Sequence, residues 1–199
     1  MRTDQTLIAD WLQPKSRVLD LGCGDGLLLA SLQAEHQITG YGVEIDSDNI
    51  TACIHSGINV IQADLDAGLT VFDDDSFDYV IMTQTLQAVR YPNRMLNEML
   101  RVGREGIVTF PNMGHWRARM QIAFKGHMPV TAALPYHWYE SPNIHLCSVN
   151  DFENLCAAEG IEILQSTTVD HKHRTSFGMR WLPSLLGEIA IYRFRRKPL

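Results

Sequence analysis

The sequence lacks long apolar runs and has few cysteines. Its 199 residues contain no stretch near the roughly 20 apolar residues that a membrane-spanning helix needs, and the first residues, MRTDQTLIADW, do not resemble a signal peptide. The 4 cysteines are far apart in sequence and form no CxxC pair, which argues against a disulfide framework and a zinc site. We therefore expect a cytoplasmic protein with free thiols, no membrane association and no bound metal.

Basic residues are scarce in the first part of the chain. Residues 1–75 carry 3 Lys and Arg against 13 Asp and Glu, whereas residues 76–199 carry 14 against 10. The net charge of −6 and the pI near 5.7 argue against a nucleic-acid-binding protein. No repeat or composition shift divides the chain, so a single domain over residues 1–199 is expected. The acidic part is either solvated surface or the wall of a site for a cationic ligand.

Short apolar runs alternate with helical patterns through the first two thirds of the sequence. Strands are predicted over 17–21, 38–45, 58–63, 77–83 and 106–110. Helices are predicted over 27–36, 47–56 (with Ser47 or Asp48 as its N-cap) and 92–102. A helix over 149–160 and strands over 161–169 and 188–196 follow. Alternation of this kind predicts an α/β, doubly wound, parallel sheet with right-handed crossovers.

The first strand–helix junction reads Asp20-Leu21-Gly22-Cys23-Gly24-Asp25-Gly26. Glycines allow the backbone to turn sharply and to approach a ligand closely, but dinucleotide-binding loops share this spacing. The carboxylates Asp20 and Asp25 would repel a phosphate, which needs free N–H groups and positive potential. The junction therefore favours a ligand with ammonium and sulfonium groups, such as S-adenosylmethionine. The alternative for Asp25 is a purely structural role, as the cap of the helix predicted over 27–36.

Two further carboxylates follow the next two strands. Glu44 ends the second strand, where a carboxylate can accept hydrogen bonds from both ribose hydroxyls. Asp64 follows the third strand and can accept from an adenine amino group while Leu65 packs on the ring, although Asp64 taken alone is equally a turn residue. We predict that these strand ends share one nucleoside pocket. The predicted cofactor-binding residues are Asp20, Gly22, Cys23, Gly24, Glu44, Ile45, Asp64, Leu65 and Gln84.

The segment 112–146, here called the aromatic segment, interrupts the alternation and concentrates Trp, Tyr, His and Pro residues. It is interpreted as a lid over the pocket, a surface for a partner protein, or ordinary core. Trp and Tyr are favoured at interfaces because they bury much area and keep a polar tip. We favour a segment that is part lid and part interface.

No catalytic residue is assigned from the sequence. Residues 82–87 lack the Asn/Asp-Pro-Pro-aromatic motif with which many N-methyltransferases hold an amine, which makes DNA bases and protein amides poor candidates for a methyl acceptor. His115, His137 and His145 are candidate bases, although a histidine is more often packed or solvated than catalytic.

The segment 18–26 with Gly42-Val43-Glu44 and Asp64-Leu65 resembles the class I S-adenosylmethionine-dependent methyltransferases. That resemblance implies a Rossmann-like, seven-stranded, mostly parallel sheet with an antiparallel last strand, and S-adenosylmethionine or S-adenosylhomocysteine as ligand. Segments 40–46, 58–66, 77–89, 98–121 and 128–156 resemble the methionine biosynthesis protein MetW family. This second resemblance implies association with a homoserine O-acyltransferase. Three hypotheses follow: an accessory protein that supports the acyltransferase, an active methyltransferase on a small metabolite, or a purely structural protein whose pocket is vestigial and binds no ligand.

Overall fold

The computed structural model describes residues 3–172 and 174–198. Its strands are β1 (Arg17–Leu21), β2 (Thr39–Glu44), β3 (Val60–Gln62), β4 (Phe77–Thr83), β5 (Gly103–Pro111), β6 (Ile161–Val169) and β7 (Ile189–Arg196). Within these residues the strands form one seven-stranded sheet in the order β3-β2-β1-β4-β5-β7-β6. Neighbours among β1 to β5 run parallel, and β7 pairs antiparallel with both β5 and β6. The predicted fold class is confirmed.

Helices cover both faces of this sheet. They are α1 (Thr3–Trp11), α2 (Leu27–His36), α3 (Ser47–His55), α4 (Pro92–Val102), α5 (Trp116–Met120), α6 (Val149–Ala158), α7 (Phe177–Trp181) and α8 (Pro183–Leu186). Short 3₁₀ turns span Leu65–Ala67 and Leu86–Ala88, and a π-helical stretch spans Gln121–Lys125. One apolar cluster joins the sheet to α1, α2 and α3, and a second joins it to α4 and α6. The core is therefore two layers of side chains, one on each face of the sheet.

Most predicted boundaries agree with the structure to within a few residues. The N-cap of α3 is an exception, because Asp46 and not Ser47 or Asp48 occupies it. The Asp46 carboxylate accepts hydrogen bonds from the N–H groups of Asp48 and Asn49, both at 3.0 Å. Strand β5 also begins earlier than predicted, since Gly103 already pairs with Phe77 of β4. The sequence patterns did not indicate α1, α5, α7 or α8.

The antiparallel end of the sheet is held by aromatic packing. The rings of Phe110, Phe152 and Tyr192 are fully buried and lie 4.7 to 5.9 Å apart by their centroids. The Tyr192 hydroxyl donates to Glu153 at 2.8 Å, which satisfies its polar end. This packing leaves the carboxyl edge of β1 to β4 open, where the site lies. Among the described residues, no helix has both the length and the apolar character that crossing a membrane requires.

Candidate ligand-binding site

A cleft of about 580 Å³ lies at the carboxyl edge of β1, β2, β3 and β4. That volume is within the roughly 300–1,000 Å³ range of small-molecule sites. Among the described residues, its wall consists of Gly22, Val43, Glu44, Ile45, Asn49, Ala63, Asp64, Leu65, Asp66, Gln84, Thr85, Ala88, Val89, Pro142 and Asn143. This wall includes six predicted site residues: Gly22, Glu44, Ile45, Asp64, Leu65 and Gln84. The other three do not line the cleft as it stands: Asp20 and Cys23 are buried beneath the wall, and Gly24 is partly exposed beside it.

The turn between β1 and α2 depends on glycine backbone conformations. Gly22 has φ of +69° and Gly24 has φ of +56°, both in the left-handed region that side chains disfavour. A Cβ on Gly22 would lie 2.6 Å from the Thr85 Oγ1 atom, whereas a Cβ on Gly24 would have no atom within 4 Å. The missing side chain of Gly22 therefore lets the loop after β4 approach the loop after β1.

The N–H groups of this glycine loop are already used within the protein. Gly22 and Cys23 donate to the Val43 carbonyl at 2.8 and 3.1 Å. Gly24 donates to Glu44 Oε2 at 2.8 Å. A pyrophosphate site instead needs N–H groups that are free to bind the phosphate oxygens. These contacts therefore argue against a dinucleotide ligand. The carboxylates of the loop, which would repel a phosphate, led to the same conclusion from the sequence.

Asp25 contacts the start of α2, as expected if its role is to cap that helix. Its Oδ1 atom accepts from the Leu27 N–H at 3.2 Å, while the N-cap position itself belongs to Gly26. A carboxylate in this position satisfies a helix donor and interacts favourably with the helix dipole. Asp25 thus has a structural partner without any ligand.

Glu44 connects β2 to the glycine loop. Its Oε1 atom accepts from the N–H groups of Ile45 and Asp46 at 2.8 and 3.0 Å, and its Oε2 atom accepts from Gly24. A carboxylate offers about four acceptor positions, so these bonds leave about one, on Oε2. The side chain is 9% exposed. That Glu44 accepts from both ribose hydroxyls stays a prediction, and these bonds leave Oε2 as the oxygen with room for a further donor.

Asp20 lies beneath the cleft wall and is 1% exposed. Neither of its carboxyl oxygens has a hydrogen-bond partner among the described atoms. Burial raises the pKa of Asp20 to about 7, and the negative charge of Glu44 adds to this effect. An unpaired buried carboxyl group is costly. A positive charge near the glycine loop would offset that cost, so Asp20 fits a site for a cationic ligand.

Cys23 packs under the loop against a cysteine that is remote in sequence. Its Sγ atom lies 3.8 Å from Cys53 Sγ, and the structure leaves both as free thiols. A Cβ on Gly42 would lie 2.4 Å from the same Cys23 Sγ atom. Burial, followed by the charge of Asp20, raises the pKa of Cys23 well above its usual range. The thiol is therefore protonated, which is typical of a packing residue and not of a nucleophile.

The 3₁₀ turn after β3 places Asp64 and Leu65 on the cleft wall. Asp64 Oδ1 accepts from the Asp66 N–H at 2.9 Å, so Asp64 caps this turn. Asp66 lines the cleft as well, and its Oδ1 atom accepts from the Arg90 N–H at 2.7 Å. Asp64 thus combines the turn role with exposure to the cleft, and the two interpretations do not exclude each other.

Gln84 reaches the cleft from the end of β4 in an unusual conformation. Its φ is +54°, and its N–H donates to the Thr109 carbonyl at 3.0 Å. Its own carbonyl accepts from Gln87 Nε2 at 2.6 Å. These bonds hold a non-glycine residue in the left-handed region and keep its side chain next to Thr109.

The charged residues of the cleft wall all have the same sign. The described part of that wall contains the carboxylates Glu44, Asp64 and Asp66, and no Lys, Arg, His, Cys or Tyr. The three histidines considered as bases lie elsewhere. His115 caps α5 by accepting from Arg117 N–H at 3.4 Å, His137 stacks on Tyr139, and His145 Nε2 lies 3.1 Å from the Arg90 carbonyl. Burial lowers the pKa of His115, which favours its neutral form.

The end of the aromatic segment forms part of the cleft. Pro142 and Asn143 line it. The N–H groups of Ile144 and His145 donate to the Gln87 carbonyl at 2.8 and 2.9 Å, which attaches this end to the loop after β4. Other parts of the segment are core, since Ala118 is 1% and Leu134 is 6% exposed. That the segment closes over a ligand as a lid stays a prediction.

The predicted site residues omit nine residues of the described wall, namely Val43, Asn49, Ala63, Asp66, Thr85, Ala88, Val89, Pro142 and Asn143. Asn49 carried a signal, because it lies in the first turn of the helix that begins just after Glu44. Pro142 and Asn143 carried none, since they reach the cleft only through contacts between segments distant in sequence.

A parallel sheet closed by an antiparallel strand, with an acidic cleft at its carboxyl edge, is the fold of the class I S-adenosylmethionine-dependent methyltransferases. The crystal structure of an S-adenosylmethionine-dependent methyltransferase from Mesorhizobium loti matches with a TM-score of 0.71 and 18% identity over 98% of each chain. The (4+2)-cyclase SpnF matches with a TM-score of 0.67 and 18% identity, over 97% of this chain and 80% of its own. At such identities, both likenesses concern the fold alone.

The chain belongs to the methionine biosynthesis protein MetW family, whose model matches residues 2–194. A relative from Rhodopirellula baltica, the bifunctional methionine biosynthesis protein MetXA/MetW, is 34% identical over 206 aligned residues. The alignment covers 99% of this chain and 33% of that relative. The chain therefore spans about a third of the length of a protein that is named for two functions.

Proposed function

We propose that this chain binds S-adenosylmethionine or S-adenosylhomocysteine in the acidic cleft and that it associates with and supports a homoserine O-acyltransferase of methionine biosynthesis in the cytoplasm. The observation that carries the ligand proposal is the charge of the cleft wall. Three carboxylates line it without any cation, and the glycine-loop N–H groups described above are occupied within the protein. Such a wall disfavours phosphates and suits a nucleoside with a cationic amino-acid chain.

The wall residues suggest an orientation for this ligand. Glu44 Oε2 retains an acceptor position suited to a ribose hydroxyl, and Asp64 with Leu65 suits an adenine ring. The cationic end would lie toward the glycine loop, above the unpaired Asp20 carboxyl group. When bound, S-adenosylmethionine supplies an electrophilic methyl group on its sulfonium.

The acyltransferase proposal rests on the family and on the bifunctional relative. The name of that relative joins MetXA and MetW, two methionine biosynthesis functions, in one chain, and we take the acyltransferase to be the partner that the family resemblance implies. Two activities that share one polypeptide in one organism are held at high effective concentration. Separate chains with the same functions would gain the same proximity by binding each other.

An accessory role is favoured over methyl transfer because the described cleft wall contains no His, Lys, Tyr or Cys side chain and its carboxylates are engaged in the contacts or ligand roles given above. Its titratable side chains are the three carboxylates, and the candidate histidines lie away from it. General bases contribute to many methyl transfers by accepting the acceptor's proton. Fold likeness does not decide the question, since one structure of this fold is a cyclase.

The test combines calorimetry with an enzyme assay. Titration of the chain with S-adenosylmethionine and S-adenosylhomocysteine should show binding with one site. The rate of the acyltransferase from the same genome should rise when the chain is added. No heat of binding would overturn the ligand proposal, and an unchanged rate would overturn the accessory role. Conversion of S-adenosylmethionine to S-adenosylhomocysteine in the presence of a pathway metabolite would instead support the methyltransferase hypothesis.

A further inference from the structure

The aromatic segment exposes an unusual number of large apolar side chains. Trp138 and Phe124 are each 76% exposed, and Tyr139 is 65% exposed. Other exposed apolar residues of this segment are Trp116, Met120, Ile122, Met128, Val130, Tyr136, Ile144 and Leu146. Scattered single exposures are normal on a protein surface, but a contiguous patch of this kind marks an interaction site.

Seven of these eleven side chains line two adjoining grooves. The first is lined in part by Tyr136, Asn143 and Ile144, and the second by Lys125, His127 and Tyr139. Met128 and Trp138 belong to both, so the grooves form one continuous surface. We call this surface the docking face and define it by Lys125, Met128, Tyr136, Trp138, Tyr139 and Ile144.

The backbone under the docking face is held in place although residues 126–148 contain no helix or strand. The Gln121 side chain donates to the Val130 carbonyl at 3.0 Å and accepts from the Val130 N–H at 3.1 Å. Thr131 and Leu134 exchange backbone hydrogen bonds at 2.9 and 3.1 Å, and Leu134 is buried. A surface that is already ordered loses less conformational entropy on binding, which favours affinity.

The charge of the aromatic segment argues for a different protein as the occupant. The segment carries Arg117, Arg119 and Lys125 against a single acidic residue, Glu140. A two-fold dimer joins identical patches, so a second copy would bring the same net positive charge to the contact. A partner with an apolar centre and an acidic rim avoids this repulsion.

We infer that the docking face is the surface that binds the homoserine O-acyltransferase, through an apolar contact centred on Trp138 with Lys125 at its rim. This inference rests on the proposed function for its occupant. The bifunctional relative supports a protein partner, because its name pairs MetW with a second methionine biosynthesis function in one chain. The grooves and the charge of the aromatic segment indicate where on the chain this partner binds.

The test measures the dissociation constant between the purified chain and the acyltransferase. Trp138→Ala should weaken binding by roughly tenfold or more, as expected for a central tryptophan. Trp181→Ala is the matched control, since Trp181 is 74% exposed but lies on α7, outside the docking face. Lys125→Glu should weaken binding most at low salt, whereas Lys15→Glu, just before β1 at the opposite edge of the sheet, should not.

Each outcome has a distinct meaning. If the wild-type chain does not bind the acyltransferase, the proposed partner is wrong and the docking face loses its occupant. If the wild-type chain binds and Trp138→Ala binds equally well, the partner is right but the docking face is not its binding surface. The same conclusion follows if Trp181→Ala loses as much affinity as Trp138→Ala. A dimer of the chain alone that Trp138→Ala dissociates would show that a second copy occupies this surface. Unchanged unfolding midpoints exclude misfolding of the variants.

Discussion

The Gly24 N–H donates to the Glu44 carboxylate at 2.8 Å, across 20 positions of sequence. This bond joins the loop after β1 to the end of β2, so one side chain both shapes the glycine loop and lines the cleft. Ligand affinity and loop geometry are therefore linked through Glu44.

Glu44→Gln should weaken S-adenosylmethionine binding by roughly 10- to 100-fold, because a hydrogen bond to a charged group is worth about 1.5–3 kcal/mol. The amide also turns an N–H₂ group toward backbone donors, which disturbs the loop. Isothermal titration calorimetry measures the effect. Glu35→Gln, on the exposed surface of α2, is the control and should bind as the wild type does. Equal affinities for Glu44→Gln and wild type would remove Glu44 from the site.

Gly22→Ala should destabilise the protein more than Gly24→Ala. Both residues have positive φ, which costs an alanine roughly 1–2 kcal/mol. Only Gly22 adds a collision, since its Cβ would lie 2.6 Å from Thr85 Oγ1 and 2.7 Å from the Thr85 methyl carbon, Cγ2. Urea denaturation of the two variants gives the comparison. A double variant, Gly22→Ala with Thr85→Ser, should recover part of the loss because it removes the Thr85 methyl group; no recovery would argue against this contact.

Asp20 should make the free protein less stable as the pH rises. The pKa of Asp20 is about 7 in the folded protein and 3.8 for an unperturbed carboxyl, so the folded state holds a proton that the unfolded chain has lost. The stability from this proton is complete below pH 3.8 and is lost as the pH rises to about 7. Each pKa unit corresponds to about 1.4 kcal/mol, so the total loss is a few kcal/mol.

The comparison with Asp20→Asn isolates this effect, because asparagine does not titrate. Between pH 5 and pH 7, the unfolding free energy of the wild type should fall relative to that of the variant. Above pH 7 the difference between the two should stay constant. Thermal and urea unfolding at matched pH values measure it. A pH-independent difference would mean that Asp20 has an ordinary pKa.

Asn143 should couple the cleft to the docking face, since it lines the cleft and the first groove. Saturating S-adenosylhomocysteine should change the dissociation constant for the acyltransferase by about fivefold or more, a usual size for coupling between sites. In Asn143→Ala, the ratio of the dissociation constants measured with and without S-adenosylhomocysteine should move toward one. Asn150→Ala, on the exposed side of α6, should retain the wild-type ratio. Identical constants with and without the ligand in the wild type would contradict the coupling.

The sequence by itself determined the order of the seven strands and of the helices α2, α3, α4 and α6, and the identity of the residues at the strand ends. Apolar runs such as 77–83 and 161–169 coincide with β4 and β6 because the local pattern matches the pleat and the buried face. Parallel strands place their carboxyl ends at one edge, so Glu44 and Asp64 were predicted to share a pocket without any coordinates.

Tertiary structure decided which of these groups line the cleft and which are covered. Asp20 was predicted on the wall but lies beneath it, because whether a side chain is covered depends on neighbours from other segments. The hydrogen bonds that use most of the Glu44 acceptor positions and the approach of Asn143 likewise depend on loops that meet only after folding. The continuity of the docking face has the same origin. Local pattern encodes the elements, whereas long-range packing brings their side chains together.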